Sequence, residues 1–153
     1  MIRAILDRLY KKEGTTNFSP FGVGEYWDSD GNITEWLREN NAFTDNPVTA
    51  FDFPLRGRLK NLCDSYGFSL QTLTQKGTLL TDGTASCAVT FVENHDIIRQ
   101  DPIVCDKMLA YAYILTHEGY PCVFWQDYCN YGLAKAGSKS GIAALVTIHE
   151  LYA

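Results

Sequence analysis

Four hydrogen-bonding side chains follow directly on a run of residues that favours β-structure. The run is Ala88–Val92, and Glu93, Asn94, His95 and Asp96 come after it. A barrel strand delivers its functional side chains at its carboxyl end, so this segment predicts a site at that rim. Asn94, His95 and Asp96 together can hydrogen-bond the vicinal hydroxyl groups of a sugar. The alternative is that Asn94 or Asp96 caps a helix after the strand, although Asp101-Pro102 already predicts a cap there.

A second carboxylate, Glu25, ends an earlier aromatic segment and is followed by Tyr26 and Trp27. Aromatic neighbours exclude water from a carboxyl and favour its protonated form, which a general acid needs near neutral pH. The alternative is a glutamate at a strand end that faces solvent. Together, Glu25 and Asp96 predict a two-carboxylate site that cleaves sugars. We expect the two side chains to converge on a shared cavity from neighbouring strands of one curved sheet.

Other residues that could do chemistry give weaker signals. His117 and His149 fall on predicted helices, where surface or packing roles are commoner than catalysis. Asp127 follows the last predicted strand and is either a ligand at the rim or a loop acid. Gly22 and Gly24 lack the third glycine of a dinucleotide-binding loop.

Charge and length restrict the class of protein. The chain has 153 residues, which suits one domain, and its formal net charge of −5 argues against a nucleic-acid partner. The basic clusters Lys11–Lys12 and Arg56–Lys60 are small, and we expect them to be solvated. No apolar stretch of about 18 residues predicts a membrane span. Met1–Ile5 do not open a secretory signal, so we expect a soluble protein whose compartment is left open.

The five cysteines lack the close pairs of a zinc ribbon. We expect them to be free and mostly buried thiols. A bridge between Cys122 and Cys129 is the alternative.

Hydrophobic patterns predict helices that alternate with apolar strands. The predicted helices are 1–12, 33–39, 55–66, 101–117 and 141–152, and the predicted strands are 21–27, 48–53, 88–93 and 121–125. Gly14 is expected to stop the first helix, and Asn32 to cap the second. Such alternation predicts an α/β fold with parallel strands, either a small open sheet or half of an eight-stranded barrel.

Four segments in this order resemble the α-amylase superfamily of glycoside hydrolases. They are similar to the family's fifth to eighth barrel strands and are, in order, Gly24–Trp27, Val48–Phe53, Phe91–Asp96 and Gly119–Trp125. The resemblance covers nearly the whole chain. It implies that residues 1–153 form a partial (β/α)8 TIM barrel made of about the last four β/α units.

The resemblance also implies roles for individual residues. Glu25 would be the general acid/base, and Asp96 would stabilise the transition state. His95 and Asp96 would bind the sugar at the cleavage point, and we expect Trp27 and Asn94 to contact substrate too. The implied substrate is an α-1,4-linked glucan such as starch or glycogen.

Two parts of the family pattern are not found in this sequence. The family's nucleophile is an aspartate on the fourth strand in a G-x-R-x-D context, and no G-x-R-x-D stretch occurs here. The other part is the region of the family's first to third strands. Much of the family's calcium site lies in the missing half, so we expect no metal or other cofactor in this chain. The resemblance thus implies a hydrolase fragment that is very weak alone, and the alternative is a non-catalytic glucan-binding or interaction protein.

A half-barrel exposes two strand edges and an inner face, which favours pairing with another chain. We expect self-association, pairing with an amino-terminal half-barrel, or low stability.

Overall fold

The computed structural model describes residues 2–12, 20–42 and 46–152. Four strands form one parallel sheet in the order β1-β2-β3-β4, which confirms the predicted α/β class. The strands are β1 Val23–Gly24, β2 Thr49–Phe51, β3 Ala88–Phe91 and β4 Tyr120–Cys122. The helices are α1 Ile2–Lys12, α2 Asp30–Asn41, α3 Phe53–Asp64, α4 Ile97–Gln100, α5 Lys107–Thr116 and α6 Ile142–Tyr152. Short 3-10 turns span Leu70–Thr74 and Ala85–Cys87, and a π-helical turn spans Gln126–Asn130.

The sheet is strongly curved. Phe21, just before β1, meets Tyr120 of β4 edge-to-face with 5.1 Å between ring centroids. Adjacent strands lie about 4.8 Å apart, so the outer strands of a flat four-stranded sheet would be separated by about three such spacings. Rings from the two outer strands therefore meet only across the concave side of a curved wall. The chain is a partial (β/α)8 barrel with four consecutive β/α units.

Helices pack on the convex side of this wall. Leu55 and Leu59 of α3 are fully buried, as their spacing predicts, and they pack with Val92 and with α5. Along α6, Ile142 is buried, and His149 Nδ1 lies 3.2 Å from the carbonyl oxygen of Leu115. His149 therefore has the packing role expected of it. A second cluster joins α1, α2 and β2.

Three helix starts differ from prediction by two residues or more. Helix α3 begins at Phe53 rather than at Leu55, so Phe53 is helical and not the end of a strand. Helix α2 begins at Asp30 rather than Ile33, and its cap is Ser29, whose hydroxyl accepts from the N–H of Asn32. Asn32 is therefore not the cap. The long helix expected from Asp101 begins only at Lys107, as α5. The predicted cap at Asp101-Pro102 is therefore wrong, and Asp101 instead follows the last residue of the short α4. The strands are also shorter than predicted, since hydrogen-bonded pairing ends where each chain segment leaves the sheet.

The cysteines are free thiols, which confirms the main expectation and excludes a bridge between Cys122 and Cys129. They are not mostly buried. Cys63 is buried and Cys87 is partly buried, whereas Cys105, Cys122 and Cys129 are exposed. The expected roles of Met1 and Gly14 at the ends of α1 lie outside the described residues.

The close approach of α2 to β1 gives a testable prediction. A Cβ atom at Gly24 would lie 2.4 Å from Cη2 of Trp36, so Gly24→Ala forces the indole to move. We expect a loss of about 1–3 kcal/mol in the free energy of unfolding, measured by urea denaturation. The control is Gly57→Ala on α3, where nothing lies within 4 Å and helix propensity predicts a gain of about 0.5–1 kcal/mol. Equal stability of the two variants would contradict this packing.

Candidate active site

Parallel register brings the carboxyl ends of the strands to one rim. Gly24 pairs with Ala50, and Phe51 pairs with Val89, so the segments after β1, β2 and β3 leave the sheet at the same end. Glu25 directly follows β1, and Asp96 lies in the segment after β3. Both carboxylates therefore belong to the same end of the barrel wall. The sequence predicts that the two carboxylates follow neighbouring strands. The structure differs, because β2 lies between β1 and β3.

An aromatic cluster lies beneath this rim. The indole of Trp27 stacks on Phe53 with 5.0 Å between centroids and 9° between planes. Phe53 in turn meets Phe91 edge-to-face at 5.2 Å, and Ile97 is buried in the same cluster. Trp27 is 57% exposed, so its outer face is open to solvent. The cluster connects the segment of Glu25 to the segment of Asp96 through packed side chains.

Glu25 is exposed, so the expected exclusion of water by its aromatic neighbours is not observed in this chain. Tyr26 turns instead toward Trp36, with 6.4 Å between ring centroids. The charge of Asp28 raises the pKa of Tyr26. The N–H of Ser29 and the amide of Asn32 hold the pKa of Asp28 below its usual value. The solvent-facing alternative for Glu25 is thus what the structure shows.

His95 and Asp96 form a partly exposed pair. His95 Nε2 lies 3.4 Å from Asp96 Oδ2, and the two side chains are 72% and 50% exposed. Asp96 occupies the position before α4, but its carboxylate makes no capping hydrogen bond. Asn94 performs that task, because its Oδ1 accepts from the N–H groups of Asp96 and Ile97 at 3.1 and 2.7 Å. The capping alternative holds for Asn94 and leaves the carboxylate of Asp96 facing outward.

Glu93 does not face the rim. Its side chain is fully buried, and its carboxylate accepts from the N–H of Ile103 at 2.7 Å and from Nη2 of Arg56 at 3.1 Å. The buried guanidinium of Arg56 also donates to the carbonyl oxygens of Val92 and Asp101. The expectation that the Arg56–Lys60 cluster is solvated is therefore wrong. Its first cation is one of the most buried polar groups of the molecule.

Asp127 is also buried rather than at the rim. Its carboxylate accepts from Lys107 at 2.9 Å and from the hydroxyl of Tyr111 at 2.6 Å. Burial and the bond to Asp127 raise the pKa of Tyr111. Lys107 lies 3.3 Å from Glu93 as well, so one cation connects the segments after β3 and β4. Sequence reasoning missed this network, although charged residues amid apolar ones in Val92-Glu93 and Trp125-Gln126-Asp127 are a signal that could have found it.

A further ion pair fixes the chain after α4. Asp64 accepts from the N–H of Cys105 at 2.8 Å and from Lys60 at 3.0 Å. Burial favours protonation of Asp64, but these donors outweigh it and hold the pKa of the carboxyl below its usual value. Lys60 lies 3.2 Å from Asp101 too.

A cavity of about 740 Å³ lies at the opposite end of the strands. Its lining includes Ser86 before β3, Gly119 before β4 and the exposed His117. It contains neither Glu25 nor the His95–Asp96 pair, so we place the candidate site at the rim. Within the ranges described, no three His, Cys, Asp or Glu side chains are grouped to hold a metal ion, and the chemistry proposed below uses none. No helix of those ranges combines the length and apolarity needed to cross a membrane.

Comparison with known proteins finds relatives that match most of this chain. No family model matches the chain. It is 38% identical over 144 residues to an α-amylase of Geobacillus stearothermophilus, which covers 87% of this chain and 25% of that protein. It is 34% identical over 148 residues to the glucan 1,4-α-maltohexaosidase of Bacillus sp. strain 707, covering 90% and 27%. A probable α-amylase of Arabidopsis thaliana is 31% identical over 127 residues, covering 73% and 31%.

The chain thus spans between about a quarter and a third of the length of these relatives. The matches are consistent with a carboxyl-terminal portion of an α-amylase.

The pairing of Asp64 predicts a pH dependence of stability. Because the pKa of Asp64 is lowered by folding, its contribution is complete above the unfolded value of about 4 and is lost as pH falls through the folded value. We expect Asp64→Asn to lower the free energy of unfolding by about 1 kcal/mol at pH 7. Between pH 4 and pH 2 the variant should lose less stability than the wild type in urea titrations. Parallel pH curves for the two proteins would contradict the assignment.

Proposed function

Because this chain belongs to the α-amylase superfamily of glycoside hydrolases, we propose that it carries part of the active centre of an α-glucan hydrolase. The substrate would be an α-1,4-linked glucan such as starch or glycogen. The observation that carries the proposal is the placement of Glu25 and the His95–Asp96 pair after parallel strands that end at one rim. The relatives named above support the substrate class.

Each residue has a distinct role in this proposal. Glu25 is the general acid/base, which protonates the leaving glycosidic oxygen and later deprotonates the attacking water. The exposed carboxylate of Asp96 accepts hydrogen bonds from sugar hydroxyls and stabilises the positive charge that develops on the ring. His95 donates to the same sugar. The exposed face of Trp27 stacks on a neighbouring ring, while Asn94 contributes chiefly by capping α4.

The nucleophile of a retaining mechanism is a third carboxylate. Glu25 and Asp96 take the acid/base and stabilising roles, and residues 1–153 contain no G-x-R-x-D stretch of the kind that carries the family's nucleophile. We propose that another part of the barrel supplies the nucleophile, either from a longer chain or from a separate amino-terminal half-barrel. This segment alone would then hydrolyse glucans very weakly, since removing one member of a catalytic unit costs orders of magnitude in rate.

The exposed concave face fits such a completion. Phe21, just before β1, and Tyr120 of β4 are 60% and 47% exposed, and they lie at the two edges of the sheet. Covering these rings and pairing the free edges of β1 and β4 would close the barrel. Self-association of two copies is the alternative way to cover them. The proposal requires no cofactor and no nucleic acid.

A second candidate function is glucan binding without hydrolysis. It is favoured by the exposure of Trp27, His95 and Asp96, which can bind sugar whether or not a nucleophile is present. Calorimetric titration of the chain with a maltooligosaccharide tests it. Binding that His95→Ala weakens, without turnover in a completed barrel, would favour this function, and the absence of binding would exclude it.

The hydrolase proposal is tested in a completed barrel. The matched segment of the Geobacillus stearothermophilus α-amylase is replaced by this chain, and hydrolysis of soluble starch is measured. We expect Glu25→Gln to lower kcat by at least about 100-fold, because a general acid/base contributes about 10²–10⁴-fold. The control is Glu39→Gln, an exposed glutamate on α2, which should leave kcat unchanged within about twofold.

Asp96→Asn in the same barrel should lower kcat by a similar factor. A folded, active barrel whose hydrolysis is insensitive to Glu25→Gln would show that the acid/base assignment is wrong.

A further inference from the structure

Four charged side chains form a buried network behind the rim. The two cations are Arg56 and Lys107, with side chains only 5% and 14% exposed, and the two anions are Glu93 and Asp127, which are fully buried. Taking such groups out of water costs several kcal/mol per ion, and the attraction between them repays this only when the geometry is good. A well-packed apolar set would often be as stable, so the network calls for a role besides stability.

The contacts of Arg56 indicate what that role is. Its Nε donates to the carbonyl oxygen of Val92 at 3.2 Å, before the segment that carries His95 and Asp96. Its Nη1 and Nη2 donate to the carboxylate and the carbonyl oxygen of Asp101, after that segment. One guanidinium therefore joins both ends of residues 93–101.

Glu93 also helps to hold the two ends of residues 93–101 together. Its Oε2 accepts from Arg56 at 3.1 Å, and its Oε1 accepts from the N–H of Ile103 at 2.7 Å. Between these two ends, the side chain of Asn94 accepts from the nearby N–H groups of Asp96 and Ile97, and Ile97 is buried in the aromatic cluster. The position of the exposed His95–Asp96 pair is thus determined by a closed loop whose ends meet on Arg56.

We propose that Arg56 is a positioning residue that sets where His95 and Asp96 stand at the rim. This inference rests on the proposed function for its catalytic consequence, though not for its structural one. A guanidinium presents several donors in a fixed planar fork, whereas lysine has one compact ammonium. Lysine at position 56 would keep the charge but could not reach Val92, Glu93 and Asp101 at once.

The chain offers a matched control two residues along the same helix. Arg58 also donates to backbone carbonyls, those of Thr72, Gln75 and Lys76, but these belong to a different loop. Arg56→Lys and Arg58→Lys therefore make the same chemical change on the same helix. Only the first touches the segment of His95.

The first measurement is made on the full chain. The imidazole carbon–proton signals of its three histidines are recorded by NMR for the wild type and both variants. We expect Arg56→Lys to shift or broaden the His95 signal while those of His117 and His149 stay at their wild-type positions. Arg58→Lys should leave the His95 signal unchanged. A wild-type His95 signal in folded Arg56→Lys would overturn the proposal.

The second measurement uses the completed barrel described above. Misplacing a group by about 1 Å can cost about 100-fold in rate, so we expect Arg56→Lys to lower kcat by about 10- to 100-fold with a smaller change in KM. Arg58→Lys should stay within about twofold. Equal kcat for the two variants would overturn the catalytic part. A wild-type barrel that hydrolyses no glucan would instead refute the proposed function, and the histidine signals would still decide the positioning.

A second variant covers the case in which Arg56→Lys fails to fold. Asp101 is 58% exposed, so Asp101→Asn removes the negative charge that faces Arg56 and weakens that contact without emptying a buried site. The proposal predicts a smaller displacement of the His95 signal in the same direction and a kcat lowered about threefold. An unchanged His95 signal in this folded variant would contradict the positioning role of Arg56.

Discussion

Parallel hydrogen bonding between four consecutive strands is the constraint on which the rest of the structure depends. It places the carboxyl ends of all four strands at one end of the sheet. Residues 25 and 96, far apart in sequence, therefore reach the same rim. Curvature of the sheet turns that rim into an arc, as the contact between Phe21 and Tyr120 shows. Antiparallel pairing of any strand would send its polar end to the other side. The candidate chemistry therefore follows from topology before it follows from any side chain.

Behind the rim, buried charged groups hold the segment of His95 and Asp96 in place. The aromatic cluster of Phe53, Phe91 and Ile97 packs beneath the rim. Apolar contacts are not directional, however, and they do not fix the position of an exposed loop. The hydrogen bonds of Arg56 are directional, and they act on backbone groups at both ends of the loop. Lys107 extends the same network to the segment after β4. The segments behind the rim are thus fixed by charges that pair inside the wall, while the carboxylates of Glu25 and Asp96 stay exposed.

The sequence predicts the repeating architecture well and the polar interior poorly. Hydrophobic periodicity identifies α3 and α6 and the apolar strands, because burial of Leu55, Leu59 and Ile142 leaves a regular pattern. It does not show that Asp101 ends one helix, since that outcome depends on Arg56, 45 positions away. For the same reason Glu93 and Asp127 resemble rim residues in sequence, yet their cations draw them inside. Long-range pairing leaves only a weak local sign, a charged residue among apolar ones, which does not identify the partner. The roles assigned to Glu25 and Asp96 stay predictions.

A crystal structure of the completed barrel with a bound maltooligosaccharide would test the central claim most directly, with Glu25→Gln used to stop turnover. Our account predicts that the side chain at position 25 lies within hydrogen-bond distance of a glycosidic oxygen. It also predicts that Asp96 contacts hydroxyl groups of the adjoining sugar ring. Sugar bound away from the rim, or the two side chains on opposite faces of the wall, would contradict it.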